Sequence, residues 1–148
     1  MDETDRKLIN RMQSRFPIDS RPYAVIGDKL GLSENEVIER VSRLKKVGVI
    51  RRIGANLNPR KIGFTSTLCA AHVPDDRVDE FVEEVNRHPG VTHNYGRNHH
   101  YNIWFTFIAP SSEQIEEHLK SISEHTGITD ILNMPATKVY KIRAEFHV

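Results

Sequence analysis

The succession of segments after residue 64 constrains the fold of this chain more than any other feature. Apolar periodicity and turn residues predict a strand over 65–73, a helix ending at Pro89, and strands over roughly 91–97 and 100–108. They then predict a helix capped by Ser111 or Ser112 and extended segments over 128–132 and 138–146. The order βαββαβ is that of a ferredoxin-like domain, in which both helices cover one face of an antiparallel sheet. The other face then needs a cover. We expect a dimer partner to place its own sheet there and to enclose a cavity.

The residues before this domain predict a winged helix-turn-helix. Leu8, Ile9, Met12 and Phe16 recur at helical spacing, and a short helix precedes Gly31. Ser33 and Glu36 have the spacing of a capping box and open a third helix. Residues 49–53 read as the strand of a wing. The predicted class is therefore α+β, with a helix-turn-helix domain over 1–60 and a ferredoxin-like domain over 61–148.

Charge divides the chain in the same way. Residues 1–64 hold 14 Lys and Arg against 8 Asp and Glu, a net of +6, whereas residues 65–148 have a net of −5. This asymmetry indicates two modules with different partners, and nucleic acid is the usual partner of a small basic module. No apolar run reaches the length of a bilayer span and the first residues are not those of a signal peptide, so we expect a cytoplasmic protein. Cys69 is the sole cysteine and is expected to be buried and unreactive.

The predicted hairpin at 91–107 concentrates proton-active side chains. It holds three of the eight histidines, two of the four tyrosines and the only tryptophan. If Asn98 and His99 form a two-residue turn, strand alternation places His100, Asn102, Trp104 and Thr106 on one face. Tyr101, Ile103, Phe105 and Phe107 then lie on the opposite face, beneath the helices. The first face is polar and aromatic, as expected of a cavity wall.

Two resemblances follow from these residues. The front half, with Leu32-Ser33, Gly48-Val49-Ile50 and Asn58-Pro59, resembles the Lrp/AsnC regulators. Where those regulators carry a Gly-Asp-Tyr-Asp-like turn, this chain reads His99-His100-Tyr101-Asn102. The longer stretch YGRNHHYNIWFT at 95–106 and the tail VYKIRAEF at 139–146 resemble the siroheme decarboxylase subunits of the alternative haem pathway. We give the second resemblance more weight.

That resemblance implies an enzyme, a carboxy-lyase built from two related subunits that removes carboxyl groups from acetate side chains of siroheme. We expect His100 to act as the acid, His99 or Tyr95 to assist it, and Arg97 to hold a substrate carboxylate. The remaining expected substrate contacts are Asn98, Tyr101, Asn102, Trp104, Arg51 and Arg52. No separate cofactor is required, because the substrate ring accepts the electrons, although a bound haem is left open. The cysteine and histidine spacing does not favour a zinc site.

Other functions stay open at this point. An Lrp/AsnC-type transcriptional regulator, responsive to haem or an amino acid, is supported by Arg40, Arg43, Lys45 and Lys46 on or after the third helix. Glu34, Glu36 and Glu39 at the start of that helix would repel phosphate, which argues against DNA binding without excluding it. A third hypothesis is a non-catalytic partner subunit. The assembly is expected to be a heterodimer with a homologous subunit, and a homodimer is also open.

Overall fold

The structure is a computed structural model that describes residues 1–55, 57–141 and 146–148. The chain divides into two compact units, Met1–Ala55 with Lys141–Val148 and Asn56–Tyr140. The predicted boundaries differ from this division at the tail, which they assigned to the second domain. In the structure the side chain of Gln13 donates to the carbonyl of Phe146 at 2.7 Å and accepts from its backbone N–H at 2.8 Å. The end of the chain is thus bound to the first unit.

Among the described residues, the first unit contains the helices α1 (Glu3–Ser14), α2 (Pro22–Leu30) and α3 (Glu34–Lys46). Their apolar faces meet in a core that contains Leu8, Ile26, Val37, Val41 and Leu44. Gly31 ends α2 in the left-handed conformation, at a φ of 70°, and so permits the tight turn into α3. The helix-turn-helix is present as predicted.

The capping box at the start of α3 forms only in part. Ser33 accepts a hydrogen bond from the backbone N–H of Glu36 at 3.2 Å, as expected. The Glu36 carboxylate does not return the bond; it accepts from Nε of Arg40 at 3.1 Å. A guanidinium one turn along the helix is a stronger partner for a carboxylate than a neutral N–H.

The wing strand predicted at 49–53 is not a strand in the described part of the chain. A strand requires a hydrogen-bonded neighbour, and within the described residues no other segment pairs with this one. Val49 and Ile50 instead donate to the carbonyl of Leu44 at the end of α3. The predicted final segment, 138–146, includes residues 142–145, which lie outside the described residues.

The second unit is the expected βαββαβ domain. Its elements are β1 (Thr65–Ala71), α4 (Val78–Asn86), β2 (Val91–Gly96), β3 (Ile103–Ala109), α5 (Ser112–Thr126) and β4 (Ile131–Pro135). The strands pair antiparallel in the order β2-β3-β1-β4, which is the ferredoxin-like order. The last strand begins three residues later than predicted and its neighbours 138–141 are not a strand. None of the helices in the described ranges is long and apolar enough to cross a bilayer.

The two faces of the sheet differ in cover. One face packs against α4 and α5, and its core includes Cys69, Phe105 and Phe107. Burial raises the pKa of the Cys69 thiol to about 12, so the thiol stays protonated and unreactive. On the other face Leu68, Tyr95 and Leu132 are 40%, 50% and 38% exposed. An apolar face left open in a single chain is consistent with the expected dimer partner.

Candidate active site

A loop over residues 97–102, here called the histidine loop, joins β2 to β3. It replaces the two-residue turn predicted at Asn98 and His99. The backbone N–H of Arg97 donates to the carbonyl of Asn102 at 2.8 Å and closes the loop. Strand alternation consequently begins only at Ile103, so the predicted faces are correct from Ile103 onward and do not apply to His100, Tyr101 and Asn102.

The side chain of Asn102 fastens the loop to the segment that follows β1. Its Nδ2 donates to the carbonyl of Val73 at 2.8 Å, and its Oδ1 accepts from the Val73 N–H at 2.9 Å. The amide therefore satisfies two backbone groups much as a neighbouring strand would. These two bonds use one Nδ2 hydrogen and one Oδ1 lone pair of Asn102, and its expected contact with substrate stays a prediction.

A cleft of about 360 Å³ lies beside the histidine loop. Its lining combines the loop with the residues after β1: His72, Val73, Pro74, Asp75, Arg97, Asn98, His99, His100 and Asn102. The structure thus brings together five of the predicted site residues, Arg97, Asn98, His99, His100 and Asn102. The side chain of His100 is 61% exposed, so its ring is accessible from solvent.

Two neighbours that the sequence analysis did not single out contact His100. The ring of His72 stacks on it, with centroids 4.1 Å apart and an interplanar angle of 17°. The carboxylate of Asp130 lies 3.7 Å from Nε2 of His100. The register of the sheet explains why His72 lies beside His100. Ala71 pairs with Ile103, so the residue after β1 faces the residues just before β3.

His99 and Tyr101 form a second pair within the loop. The rings stack with centroids 6.3 Å apart, and Nδ1 of His99 accepts from the backbone N–H of Tyr101 at 3.1 Å. This bond requires an unprotonated Nδ1. Burial, the nearby charge of Asp130 and a hydrogen bond to that carboxylate raise the pKa of the Tyr101 phenol. The phenol thus stays a neutral hydrogen-bonding group at ordinary pH.

The open face of the sheet carries the aromatic part of the site. Tyr95 and Trp104 are cross-strand partners and share that face. The indole N–H of Trp104 donates to the carbonyl of Tyr101 at 2.7 Å, which fixes the ring beside the histidine loop. The guanidinium of Arg97 lies over the indole, with Cζ 5.7 Å from the ring centroid. Arg97 therefore belongs both to the cleft and to the aromatic face.

Arg51 and Arg52 are grouped with the first unit and do not line the cleft. There they line a groove of about 780 Å³ whose other lining residues are mainly apolar. Their predicted role as substrate contacts stays a prediction.

The basic residues of α3 are engaged within the first unit. Arg40 contacts Asp2 at 2.8 Å, Asp5 at 3.0 Å and Glu36 at 3.1 Å, and Arg43 contacts Asp5 at 2.7 Å. Burial of Asp5 opposes its ionisation, but hydrogen bonds from the Asp2 N–H, Arg43 and Arg40 outweigh it and lower its pKa to about 2. Two of the cations that would favour DNA binding are thus neutralised by the protein itself.

Residues 61–141 match the AsnC-like ligand binding domain family, and residues 5–51 match the siroheme decarboxylase NirDL-like HTH domain family. Over 148 residues the chain is 59% identical to the siroheme decarboxylase alpha subunit of Nitratidesulfovibrio vulgaris, covering 100% of this chain and 84% of that one. The aligned region spans both units of the fold.

Two solved structures have a similar fold. The crystal structure of the siroheme decarboxylase NirDL in co-complex with an iron-uroporphyrin III analogue is 26% identical, with a TM-score of 0.70. The match covers 95% of this chain and 48% of that chain, so this chain spans about half its length. The leucine response regulatory protein LrpA of Mycobacterium tuberculosis matches over 100% of both chains with a TM-score of 0.81, but at 18% identity it shows the fold alone.

Proposed function

The chain belongs to the siroheme decarboxylase family, and we propose that it is a subunit of a carboxy-lyase that removes carboxyl groups from acetate side chains of siroheme to give didecarboxysiroheme. The observation that carries this proposal is the position of Arg97. Arg97 lines the cleft that contains His100, and its guanidinium lies over the ring of Trp104. A carboxylate-bearing aromatic macrocycle requires an anion clamp, a flat apolar surface and a proton donor close together, and these residues supply the three.

The size of the cleft suggests how the substrate binds. At about 360 Å³ it is at the lower end of ligand-site volumes, and a substituted tetrapyrrole is larger. We therefore place one acetate-bearing edge of the macrocycle in the cleft and the ring plane against Tyr95 and Trp104 on the open face of the sheet. Arg97 would pair with a substrate carboxylate at the junction, because a guanidinium binds a carboxylate through two parallel hydrogen bonds. Asn98 would contact the same edge from the loop.

The reaction exchanges a carboxyl group for a proton. The bond between the acetate methylene carbon and its carboxyl carbon breaks, carbon dioxide leaves, and the conjugated ring takes up the electron pair. A proton must then reach the methylene carbon to form a methyl group. His100 is the proposed donor, since imidazole titrates near neutral pH and this ring is exposed enough to regain its proton from solvent. His99 and Tyr95 are the proposed assisting groups.

No separate cofactor enters this scheme, because the iron tetrapyrrole is the substrate and its own ring serves as the electron acceptor. A bound haem would use the same clamp and the same aromatic surface as siroheme. We therefore treat haem binding as competition for the site rather than as a requirement of the reaction.

The proposed assembly is a heterodimer with a homologous subunit. Leu68, Tyr95 and Leu132 leave an apolar surface exposed on the sheet face that also carries Trp104. A second sheet packed there would cover this surface and enclose the substrate between the subunits. The NirDL chain is about twice as long as this one and so has room for two such units in one polypeptide.

Anaerobic incubation with siroheme, with and without the homologous subunit, followed by mass spectrometry of the tetrapyrrole, tests the proposal. We expect the mass of the tetrapyrrole to fall by the mass of one or two molecules of carbon dioxide. Siroheme that binds and stays unchanged in the presence of both subunits would refute catalysis and leave a binding role. Absence of binding would refute the proposal entirely.

A further inference from the structure

His72 follows the last residue of β1 and holds one residue of the histidine loop in two ways. Its ring stacks on the ring of His100 at 4.1 Å, and its Nδ1 lies 2.7 Å from the backbone carbonyl oxygen of His100. A carbonyl oxygen only accepts hydrogen bonds, so Nδ1 of His72 carries a proton and donates it. The neutral form of His72 is therefore the Nδ1–H tautomer. His72 contacts both the backbone and the side chain of His100.

His72 is itself fixed by its neighbours. Its backbone N–H donates to the carbonyl of Asp130 at 3.0 Å, and the next residue, Val73, is held by the two hydrogen bonds from Asn102. The carboxylate of Asp130 also lies 3.7 Å from Nε2 of His100. The His100 ring thus has His72 against its face and Asp130 at its Nε2 edge.

A third contact restricts the same ring. Tyr101 meets His100 edge to face, with centroids 5.0 Å apart and an interplanar angle of 77°. An exposed histidine on a loop would ordinarily exchange among several rotamers. A general acid must stay within hydrogen-bonding distance of the atom that it protonates, and a displacement of about 1 Å is enough to reduce the rate by about 100-fold.

We infer that His72 is a positioning residue for the decarboxylation: its hydrogen bond and its ring face hold the His100 imidazole in the orientation that presents it to the substrate edge in the cleft. The inference rests on the proposed function for its chemical consequence. The contact between His72 and His100 can be tested without it. His72 does not need to touch the substrate in order to act in this way.

Three variants separate the two contacts. His72→Phe keeps a flat ring and loses the Nδ1–H donor, His72→Asn keeps a donor in a similar place and loses the ring, and His72→Ala loses both. Siroheme decarboxylation by the complete two-subunit enzyme is then measured at several substrate concentrations. We expect kcat of His72→Ala to fall about 10- to 100-fold with little change in KM. The Phe and Asn variants should each recover part of the rate.

Nuclear magnetic resonance of the protein with labelled histidine gives a readout of position that does not need activity. Stacking on His72 should move the Cε1–H signal of His100, which His100→Gln identifies by its disappearance. The displaced signal should persist in His72→Phe and return toward the free-histidine position in His72→Asn and His72→Ala. His125→Ala is the matched control, because this exposed histidine contacts Glu84 on the helix side of the domain.

The outcomes separate the two proposals. An unmoved His100 signal in His72→Ala would overturn the contact, and a moved signal with unchanged kcat would overturn the positioning role. If the wild-type complex does not decarboxylate siroheme at all, the proposed function fails and the positioning role in that reaction fails with it. The resonance measurement would still decide whether His72 orients His100.

Discussion

The guanidinium of Arg97 lies over the indole of Trp104, with Cζ 5.7 Å from the ring centroid, while the same residue lines the cleft beside His100. The surface on which a flat ring can rest is therefore next to the cleft in which a carboxyl group would be exchanged for a proton. A substrate clamp anchored on the aromatic surface has few conformations to lose on binding, which favours recognition of one edge of a macrocycle.

Replacement of Arg97 by Gln should weaken siroheme binding more than it slows the chemical step. The variant loses a charge-assisted pair with a substrate carboxylate, so we expect the dissociation constant to rise about 10-fold or more. Absorbance titration at low and high salt measures this effect, which should shrink as the salt concentration rises. Arg87→Gln is the control, because Arg87 pairs with Glu83 and Glu84 on α4. Equal affinities of the two variants would contradict the clamp.

Replacement of His100 by Gln should abolish turnover and leave binding in place. Glutamine retains a polar side chain of similar size but cannot deliver a proton at neutral pH, so kcat should fall at least about 100-fold. Mass spectrometry of the tetrapyrrole measures the rate, and absorbance titration measures affinity separately. A variant that still decarboxylates at the wild-type rate would assign the proton to another group, with His99 and Tyr95 the next to be replaced.

Replacement of Asn102 by Asp should loosen the histidine loop. The carboxylate keeps an acceptor for the Val73 N–H but turns the donor that faced the Val73 carbonyl into a second acceptor. We expect a loss of about 1–3 kcal/mol of stability and faster hydrogen exchange of the Val73 amide. Asn86→Asp is the matched control, since it preserves the acceptor that Asn94 uses. If the Val73 amide exchanged at the same rate in the Asn102 variant as in the wild type, the two hydrogen bonds between Asn102 and Val73 would not be what holds the loop.

Replacement of Asp5 by Asn should destabilise the helix-turn-helix unit. Asp5 is fully buried and contacts Arg40 and Arg43, so losing its charge should cost about 2 kcal/mol in the free energy of unfolding. Urea denaturation followed by circular dichroism measures the change, with the exposed Asp28→Asn as control. Equal midpoints for the two variants would contradict the role of this ion pair.

The same residue predicts a pH dependence. The pKa of Asp5, about 2, lies below the ordinary value of 3.8, so the folded state binds its proton less readily than the unfolded state. Its contribution to stability is therefore complete above about pH 4 and is lost as the pH falls toward 2. The wild type should lose more stability than Asp5→Asn across this window. Parallel pH profiles of the two proteins would contradict the assignment.

The sequence predicted the parts of the fold that depend on local pattern. Ile103, Phe105 and Phe107 alternate along one strand, and the structure buries all three beneath the helices. The predicted positions of His100 and Tyr101 were wrong, because the alternation was extended into residues that are not paired in a strand. The hydrogen bonds of Asn102 to Val73 end the strand there, and a bond between residues 29 positions apart leaves no trace in a local pattern.

Only the part of the candidate site that is continuous in the sequence was predicted, because contacts between distant residues do not appear in a local pattern. Arg97, Asn98, His99 and His100 are contiguous, and their chemistry is visible in the sequence alone. His72 and Asp130 reach the same place from β1 and from the start of β4, so they become apparent only once the strands are in register. Arg51 and Arg52 were chosen for their charge and belong to the first unit, as their predicted place in the wing implied; their role as substrate contacts stays a prediction.

The attachment of the histidine loop has a consequence for how such a protein can diversify. The loop is closed at its base by the bond between Arg97 and Asn102, and Asn102 alone carries the two bonds to Val73. Residues 98–101 can therefore be exchanged without altering the pairing of any strand in the sheet. A lineage that starts from such a scaffold can acquire, lose or redirect proton chemistry by changing a handful of adjacent codons, while selection for folding acts on the rest of the domain.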